Sequence, residues 1–288
     1  LCLSASLPLC LSASLPLCFS ASLLLCFSAS LPLCFSASTQ PTPPMPDTLR
    51  VHSLETFGTH DGPGIRLVIF VQGCQFKCLY CANPDTIAIE GGEDMPLEDL
   101  VRRALNEKSY FGKKGGVTVS GGEPLLQRNA LLTFFRRLHE EGIHTALDSN
   151  GRLIDRAARE LLAETDLLLL DIKHIDNDWH HRLTGVSNVN SLKVAAHREA
   201  TGKPFWLRHV LVPGWTDQDE FLHRLGQHFA DYQHLEKIEI QPYHQLGVHK
   251  WEALGMDYKL YDVSPPDQAT LDRAAGILGQ YFSAVQVN

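Results

Sequence analysis

From Ile65 to the C-terminus, short apolar runs alternate with longer amphipathic stretches, and that alternation leaves few folds open. The strand candidates are 66–73 (RLVIFVQG), 117–120 (VTVS), 144–150 (HTALDSN), 166–173 (DLLLLDIK), 205–212 (FWLRHVLV) and 237–243 (KIEIQPY). Helices are predicted between them. The stretch 96–109 opens with proline and acidic residues, as helix starts prefer, and 128–141 sets Leu131, Phe135 and Leu138 on one face. Further helices are predicted at 153–163, 189–201, 217–230 and 268–282. Six strands separated by helices give an α/β fold with a parallel sheet. A near-continuous run such as Leu167–Leu170 suits a sheet covered on both sides or curled toward a barrel. In such folds the chemistry collects where strands end.

The chain divides sharply by composition. Residues 1–38 are an octapeptide (LCLSASLP and close variants) repeated with little change, and none of the first 44 residues is charged. All 25 Lys and Arg and all 33 Asp and Glu therefore fall in 45–288, which is long enough for one large domain. The expected division is a low-complexity segment, 1–44, and a single domain, 45–288. The segment lacks the basic start of a signal peptide, serine interrupts its apolar stretches, and the first methionine is Met45. It reads as a translated upstream repeat without packed structure. The net charge of −8 argues against nonspecific nucleic-acid or anionic-membrane binding, and no apolar run reaches the length of a membrane span. Of eight cysteines, five (Cys2, Cys10, Cys18, Cys26 and Cys34) belong to the repeat. The three that remain, Cys74, Cys78 and Cys81, are odd in number and tightly clustered, unlike a disulfide framework. An intracellular domain with ligand cysteines is expected.

Three thiolates at the spacing Cys74-x-x-x-Cys78-x-x-Cys81 can hold three corners of a cubane iron–sulfur cluster and leave the fourth iron open. A zinc site completed by a histidine, or three unrelated buried thiols, are the alternatives; zinc sites, however, favour paired C-x-x-C motifs from two places, and no second pair exists here. Other unusual residues also follow strands. Ser120-Gly121-Gly122-Glu123 is either a tight strand-to-helix turn or a place where backbone meets a ligand. Asp171 and Lys173 share one face of a strand, as an internal ion pair or as ligand contacts. Asp148 ends another strand, and His244 follows the last one. Arg208, inside an apolar strand, needs a carboxylate or an anionic ligand.

The cysteine spacing with Tyr80 before the last cysteine resembles the radical S-adenosylmethionine (SAM) superfamily. The chain from about Arg50 onward is more closely similar to the activating enzymes of pyruvate formate-lyase. The matching segments, in order, are 59–66 (THDGPGIR), 72–84 (QGCQFKCLYCANP), 117–123 (VTVSGGE), 147–151 (LDSNG), 169–173 (LLDIK), 212–215 (VPGW) and 242–251 (PYHQLGVHKW). The resemblance implies a partial (β/α)6 barrel of TIM type and a [4Fe–4S] cluster on Cys74, Cys78 and Cys81. The open iron would bind SAM, which is cleaved reductively to methionine and a 5′-deoxyadenosyl radical that takes a hydrogen from a glycine Cα of the partner protein. It further implies SAM contacts at Tyr80, Cys81, Ala82, Gly121, Gly122, Glu123, Asp148, Asp171, Ile172, Lys173 and His244. Asp148 and Asp171, with Ser149 beside them, would border a monovalent cation, and Asp61 and Arg208 would receive the glycine-bearing peptide. Flavodoxin or ferredoxin is the implied electron donor, the cytoplasm the implied compartment, and a monomer the expected state. One departure is Ala82, where relatives frequently carry histidine, so an imidazole contact is lost there.

Other activities of the same kind fit less well. Many activases of other glycyl radical enzymes carry extra cysteine clusters after the first motif, and the 35 residues between Cys81 and Val117 contain no cysteine. Activases of anaerobic ribonucleotide reductase tend to be shorter and lack the Pro-Tyr-His segment. A non-catalytic iron–sulfur or zinc module is the alternative from another class.

Overall fold

The computed structural model describes residues 46–288; the octapeptide repeat, and with it the expectation of no packing before Met45, lies outside the described residues. In chain order the elements are β1 (Thr48–Gly58), β2 (Arg66–Val71), β3 (Glu93–Pro96), α1 (Leu97–Phe111), β4 (Gly116–Gly121), α2 (Arg128–Glu140), β5 (His144–Ser149), α3 (Arg156–Glu164) and β6 (Leu167–Asp171). They continue with α4 (Asn177–Thr184), α5 (Val189–Thr201), β7 (Phe205–Leu211), α6 (Asp219–Phe229), β8 (Leu235–Pro242), α7 (Val248–Ala253), α8 (Gln268–Leu278) and β9 (Val285–Val287).

The described strands form one sheet in the order β3-β1-β2-β4-β5-β6-β7-β8-β9. From β2 to β9 every pairing is parallel, and only β1 runs antiparallel, to β2 and to β3. The six expected strands are β2 and β4–β8, contiguous and parallel, which is the partial (β/α)6 arrangement. The order begins at β3 and ends at β9, so the sheet is open among the described residues.

Side chains alternate across each strand, and the two faces differ in chemistry. Leu67, Ile69, Val117, Val119, Leu147, Leu168, Leu170, Leu207 and Ile238 point to the helices and join the main apolar core with residues such as Phe134, Phe135 and Leu161. On the other face Ala146, Leu167, Leu169 and Trp206 form a small apolar floor. Further along the same strands that face turns polar, with Ser120, Asp148, Asp171, Arg208 and Gln241. The period-two pattern thus stacks a dry floor beneath a polar upper layer at the strand ends.

Boundaries shift where local chemistry decides them. The helix expected from 153 starts at Arg156 because Asp155 caps it, accepting from the Ala158 amide at 2.9 Å. The strands β1, β3 and β9 and the helices α4 and α7 were not among the sequence expectations. β1 buries only Leu49, Val51 and Gly58 of its eleven residues, and so carries little apolar signal. Among the described residues no helix is long and apolar enough to cross a membrane.

Candidate active site

The cysteine loop begins where β2 ends, at Gly73 (φ +97°), and is tied down on three sides. Gly73 and Cys74 donate backbone hydrogen bonds to Thr86 and Ile87 (2.8 and 3.0 Å), and Lys77 and Leu79 donate to Thr184 and Leu183 at the end of α4 (2.8 and 3.0 Å). Phe76, Cys78 and Tyr80 sink into a second apolar cluster with Leu183, Val212, Tyr243, Trp251 and Tyr258. From the far end of the chain, Trp251 Nε1 donates to the Cys81 carbonyl at 2.9 Å, and Lys250 Nζ reaches Asn83 Oδ1 at 2.8 Å. Gly247 lies so close to Ala82 that an added Cβ would meet the Ala82 carbonyl oxygen at 2.6 Å. The segment 242–251 is thereby a brace for the cysteine loop.

The turn 120–123 meets the same loop. A Cβ on Gly122 would stand 2.1 Å from the Gly73 carbonyl oxygen and 2.9 Å from that of Thr86. The missing side chain therefore admits the chain's own loop, as the tight-turn reading of 120–123 requires. The Glu123 amide donates to the same Gly73 carbonyl at 2.7 Å. Gly121 (φ +102°) has no room for a side chain against Val71.

The loop and the strand ends enclose a cavity of about 720 Å³. Of the sequence-predicted site residues, Asp61, Cys74, Cys78, Tyr80, Cys81, Ala82, Gly121, Gly122, Asp148, Asp171, Lys173 and His244 line it. Glu123, Ile172 and Arg208 do not, and each is buried behind the wall. Asn150, Asn83, Thr86 and Tyr243 also line the cavity and were not foreseen; Asn150 lay within a quoted motif, LDSNG, but a lone amide carries no spacing signal.

Charges on the wall are paired. Lys173 Nζ stands 2.7 Å from Asp171 Oδ2 and 5.8 Å from the Tyr80 ring centroid. Burial works against the Lys173 charge, but Asp171, Tyr80 and Cys78 outweigh it and hold the ammonium protonated. Arg208 extends from β7 beneath the wall, donating to Asp148 Oδ2 (3.1 Å), Glu239 Oε2 (3.0 Å) and the His60 carbonyl. Ser120 Oγ donates to Asp148 Oδ2 as well, at 2.7 Å. The guanidinium expected to meet a peptide is thus committed to internal carboxylates, with its side chain 5 % exposed. Asp61 lies at the cavity, 4.0 Å from Arg208. Burial raises Asp148 to about 6 against the pull of Arg208, and its Oδ1 is buried without a partner. Burial likewise lifts Glu123 to about 7, although Ser149, Leu125 and Asn150 all donate to it.

Donor chemistry favours an iron–sulfur cluster. Burial pushes the Cys74 thiol up to about 12, and raises Cys78 and Cys81 also, so as thiolates they need a strong positive partner. Against that burial, the backbone at Phe76 and Asn83 pulls the Cys74 and Cys81 thiols down. Among the described residues no three His, Cys, Asp or Glu side chains stand close enough to hold a single metal ion, as tetrahedral zinc requires. A cubane takes one thiolate per iron and has no such requirement. The unpartnered Tyr80 hydroxyl and Asp148 Oδ1 leave polar capacity in the wall for a polar ligand beside it.

Residues 68–225 match the Radical SAM superfamily. The chain is 46 % identical over 235 residues to the pyruvate formate-lyase 1-activating enzyme of Escherichia coli (strain K12), covering 81 % of this chain and 96 % of that one. The chain belongs to the pyruvate formate-lyase-activating enzyme family of the radical SAM superfamily. A second relative in this family, the pyruvate formate-lyase-activating enzyme of Staphylococcus aureus (strain USA300), is 48 % identical over 232 residues, 78 % of this chain and 92 % of that one. A domain of pyruvate-formate lyase-activating enzyme from Bacteroides vulgatus ATCC 8482 superposes with a TM-score of 0.52 at 26 % identity, covering 60 % of this chain and 99 % of that one. Streptococcus suis SuiB bound to S-adenosylmethionine shares the fold at a TM-score of 0.61 and 19 % identity, over 77 % of this chain and 49 % of that one.

Proposed function

We propose that the protein activates pyruvate formate-lyase under anaerobic conditions by generating a glycyl radical on it. The observation that carries this reading is a loop of three thiols on the wall of a cavity whose other walls are strand ends bearing Lys173, Asp171 and Asp148. When bound, the [4Fe–4S] cluster and SAM supply one-electron cleavage of the sulfonium and the carbon radical that takes the glycine hydrogen.

The chain's own residues bind, orient and exclude water. Cys74, Cys78 and Cys81 would each hold one iron, and the apolar anchor of Phe76 and Trp251 fixes their spacing. Lys173, kept charged by Asp171, would meet the carboxylate or the ribose region of SAM, and the backbone at Gly121 and Gly122 would meet its amino group. Tyr80, Ala82 and His244 line the cavity and would border the adenosine. The volume of about 720 Å³ lies within the roughly 300–1,000 Å³ of cavities that enclose ligands of this size. Asp61 meets the incoming peptide, and Arg208 acts on that peptide through the Asp148 and His60 backbone it holds in place. Glycine suits the reaction because no side chain shields its Cα. Flavodoxin or ferredoxin delivers the electron, and the cytoplasm is the compartment.

The test is anaerobic incubation of pyruvate formate-lyase with the reconstituted protein, SAM and a strong reductant. Electron paramagnetic resonance is expected to show a glycyl radical. SAM cleavage without that signal would leave the superfamily chemistry standing and remove the partner assignment.

A further inference from the structure

We infer that Asn150 is a positioning residue for the cluster, whose side-chain amide hydrogen-bonds the Cys74 sulfur and would tune the reduction potential of the cluster bound there. The inference rests on the cluster reading above and concerns a residue that follows β5. Asn150 Nδ2 stands 3.6 Å from Cys74 Sγ, a hydrogen-bond length for an acceptor as large as sulfur.

The rest of Asn150 is fixed so that the amide faces that way. Its backbone N–H donates to Glu123 Oε2 at 2.8 Å, and its carbonyl accepts from Ser191 Oγ at 2.5 Å. Its Oδ1 accepts from the Arg152 amide at 3.0 Å. With the oxygen so engaged, the NH₂ group is the end left to point at sulfur, which settles the orientation of the amide. The residue is 6 % exposed, so water does not compete strongly for the donor. Glu123 in turn receives Ser149 Oγ (2.7 Å) and the Leu125 amide (2.9 Å), which ties the turn 120–123 to Asn150. The Ser-Gly-Gly-Glu and Asp-Ser-Asn-Gly segments thus form one scaffold that aims an amide at the first cysteine.

Hydrogen bonds to cluster sulfurs are among the features that set reduction potential, together with charge and solvent exposure. An N–H directed at a ligand thiolate withdraws electron density and favours the reduced cluster. Of the three cysteines, Cys74 alone receives a side-chain hydrogen bond among the described residues.

The experiment compares wild type with Asn150→Ser and Asn150→Asp after anaerobic reconstitution. Serine can still accept from the Arg152 amide but cannot reach the sulfur. Aspartate keeps the shape and Oδ1 and replaces the donor with an acceptor, so it carries the test if the serine variant folds poorly, as judged by circular dichroism and iron content. Midpoint potentials are read by redox titration with electron paramagnetic resonance, without SAM or partner, so activity does not enter. The serine variant is expected to be more negative, with about a tenfold shift in the reduction equilibrium, equivalent to about 59 mV for one electron. The aspartate variant is expected to be more negative still. Unchanged or more positive potentials in folded, cluster-loaded variants would overturn the assignment while leaving the cluster reading intact. Failure of the wild type to assemble a [4Fe–4S] cluster would overturn both.

Discussion

Adding one carbon at Gly122 tests how the glycine turn and the cysteine loop depend on each other. The Cβ of Gly122→Ala would lie 2.1 Å from the Gly73 carbonyl oxygen, against the 3.4 Å at which ordinary contact begins, so the loop must retreat by about 1.3 Å. The atoms in the way are backbone, at Gly73 and Thr86, and no side-chain rotation relieves them. Overpacking of this kind costs about 1–3 kcal/mol. The retreat also strains the Glu123 N–H to Gly73 O bond (2.7 Å) and the Gly73 N–H to Thr86 O bond (2.8 Å), each worth about 1 kcal/mol net. The expected loss is about 3 kcal/mol, read as a lower urea midpoint of the apoprotein at unchanged slope. Because Gly73 precedes Cys74, the variant should also lose cluster iron faster to a chelator. Gly276→Ala, in helix α8 with nothing within 4 Å of the added carbon, is the control, and should stabilise by about 0.5–1 kcal/mol. A Gly122→Ala protein as stable as wild type, with unchanged iron retention, would refute the claim that this glycine exists to admit the loop.

Arg208→Met should cost about 3–5 kcal/mol at pH 7.5, because it strands buried Asp148 and leaves Glu239 with Lys237 alone. Asp148 already sits near 6, above its unfolded value, and losing its nearest cation raises it further, so the penalty is present at high pH and shrinks as the pH falls through 6; urea titrations at pH 4.5 and 7.5 measure the difference, and equal penalties at both would count against the pairing. His180 titrates in the opposite sense. Burial lowers it to about 4 from 6.5, so the unfolded chain takes up the proton first, and stability falls as the pH drops from 6.5 toward 4. Its contribution is on the order of 3 kcal/mol, and His180→Asn should show a correspondingly flatter acid limb in thermal or urea melts. Trp251→Phe keeps the packing but deletes the donor to the Cys81 carbonyl, so about 1–2 kcal/mol of stability and some iron retention should go; a variant matching wild type in both would mean that the bond does not brace the loop.

Legibility of the molecule in its sequence followed the range of the interactions. The parallel core strands announce themselves because an apolar run such as Leu167–Leu170 is buried on both faces, one under helices and one over the floor. β1 does not, since it is half polar and its identity comes from antiparallel pairing with β2. α4 (NDWHHRLT) is short and polar, yet it supplies the carbonyls that hold Lys77 and Leu79. The cysteine loop was readable because its spacing is local. Its supports were not: Trp251 reaches Cys81 across 170 positions and Asn150 reaches Cys74 across 76. Arg208 was recognisable as a residue needing a carboxylate, but only the register that sets it between Asp171 and Glu239, with Asp148 reaching in from β5, shows which ones. For Gly122, the absence of a side chain was legible and its purpose was not, because Gly73 lies 49 positions earlier.

Three thiolates are expected to hold a cluster whose fourth iron lies open to SAM. Mössbauer spectroscopy of the anaerobically reconstituted protein, with iron-57 in the exchangeable position, tests it most directly. A single labelled iron whose isomer shift changes on adding SAM is the predicted result. A label that spreads over all four irons and ignores SAM, or zinc bound in place of iron and sulfide, would contradict it.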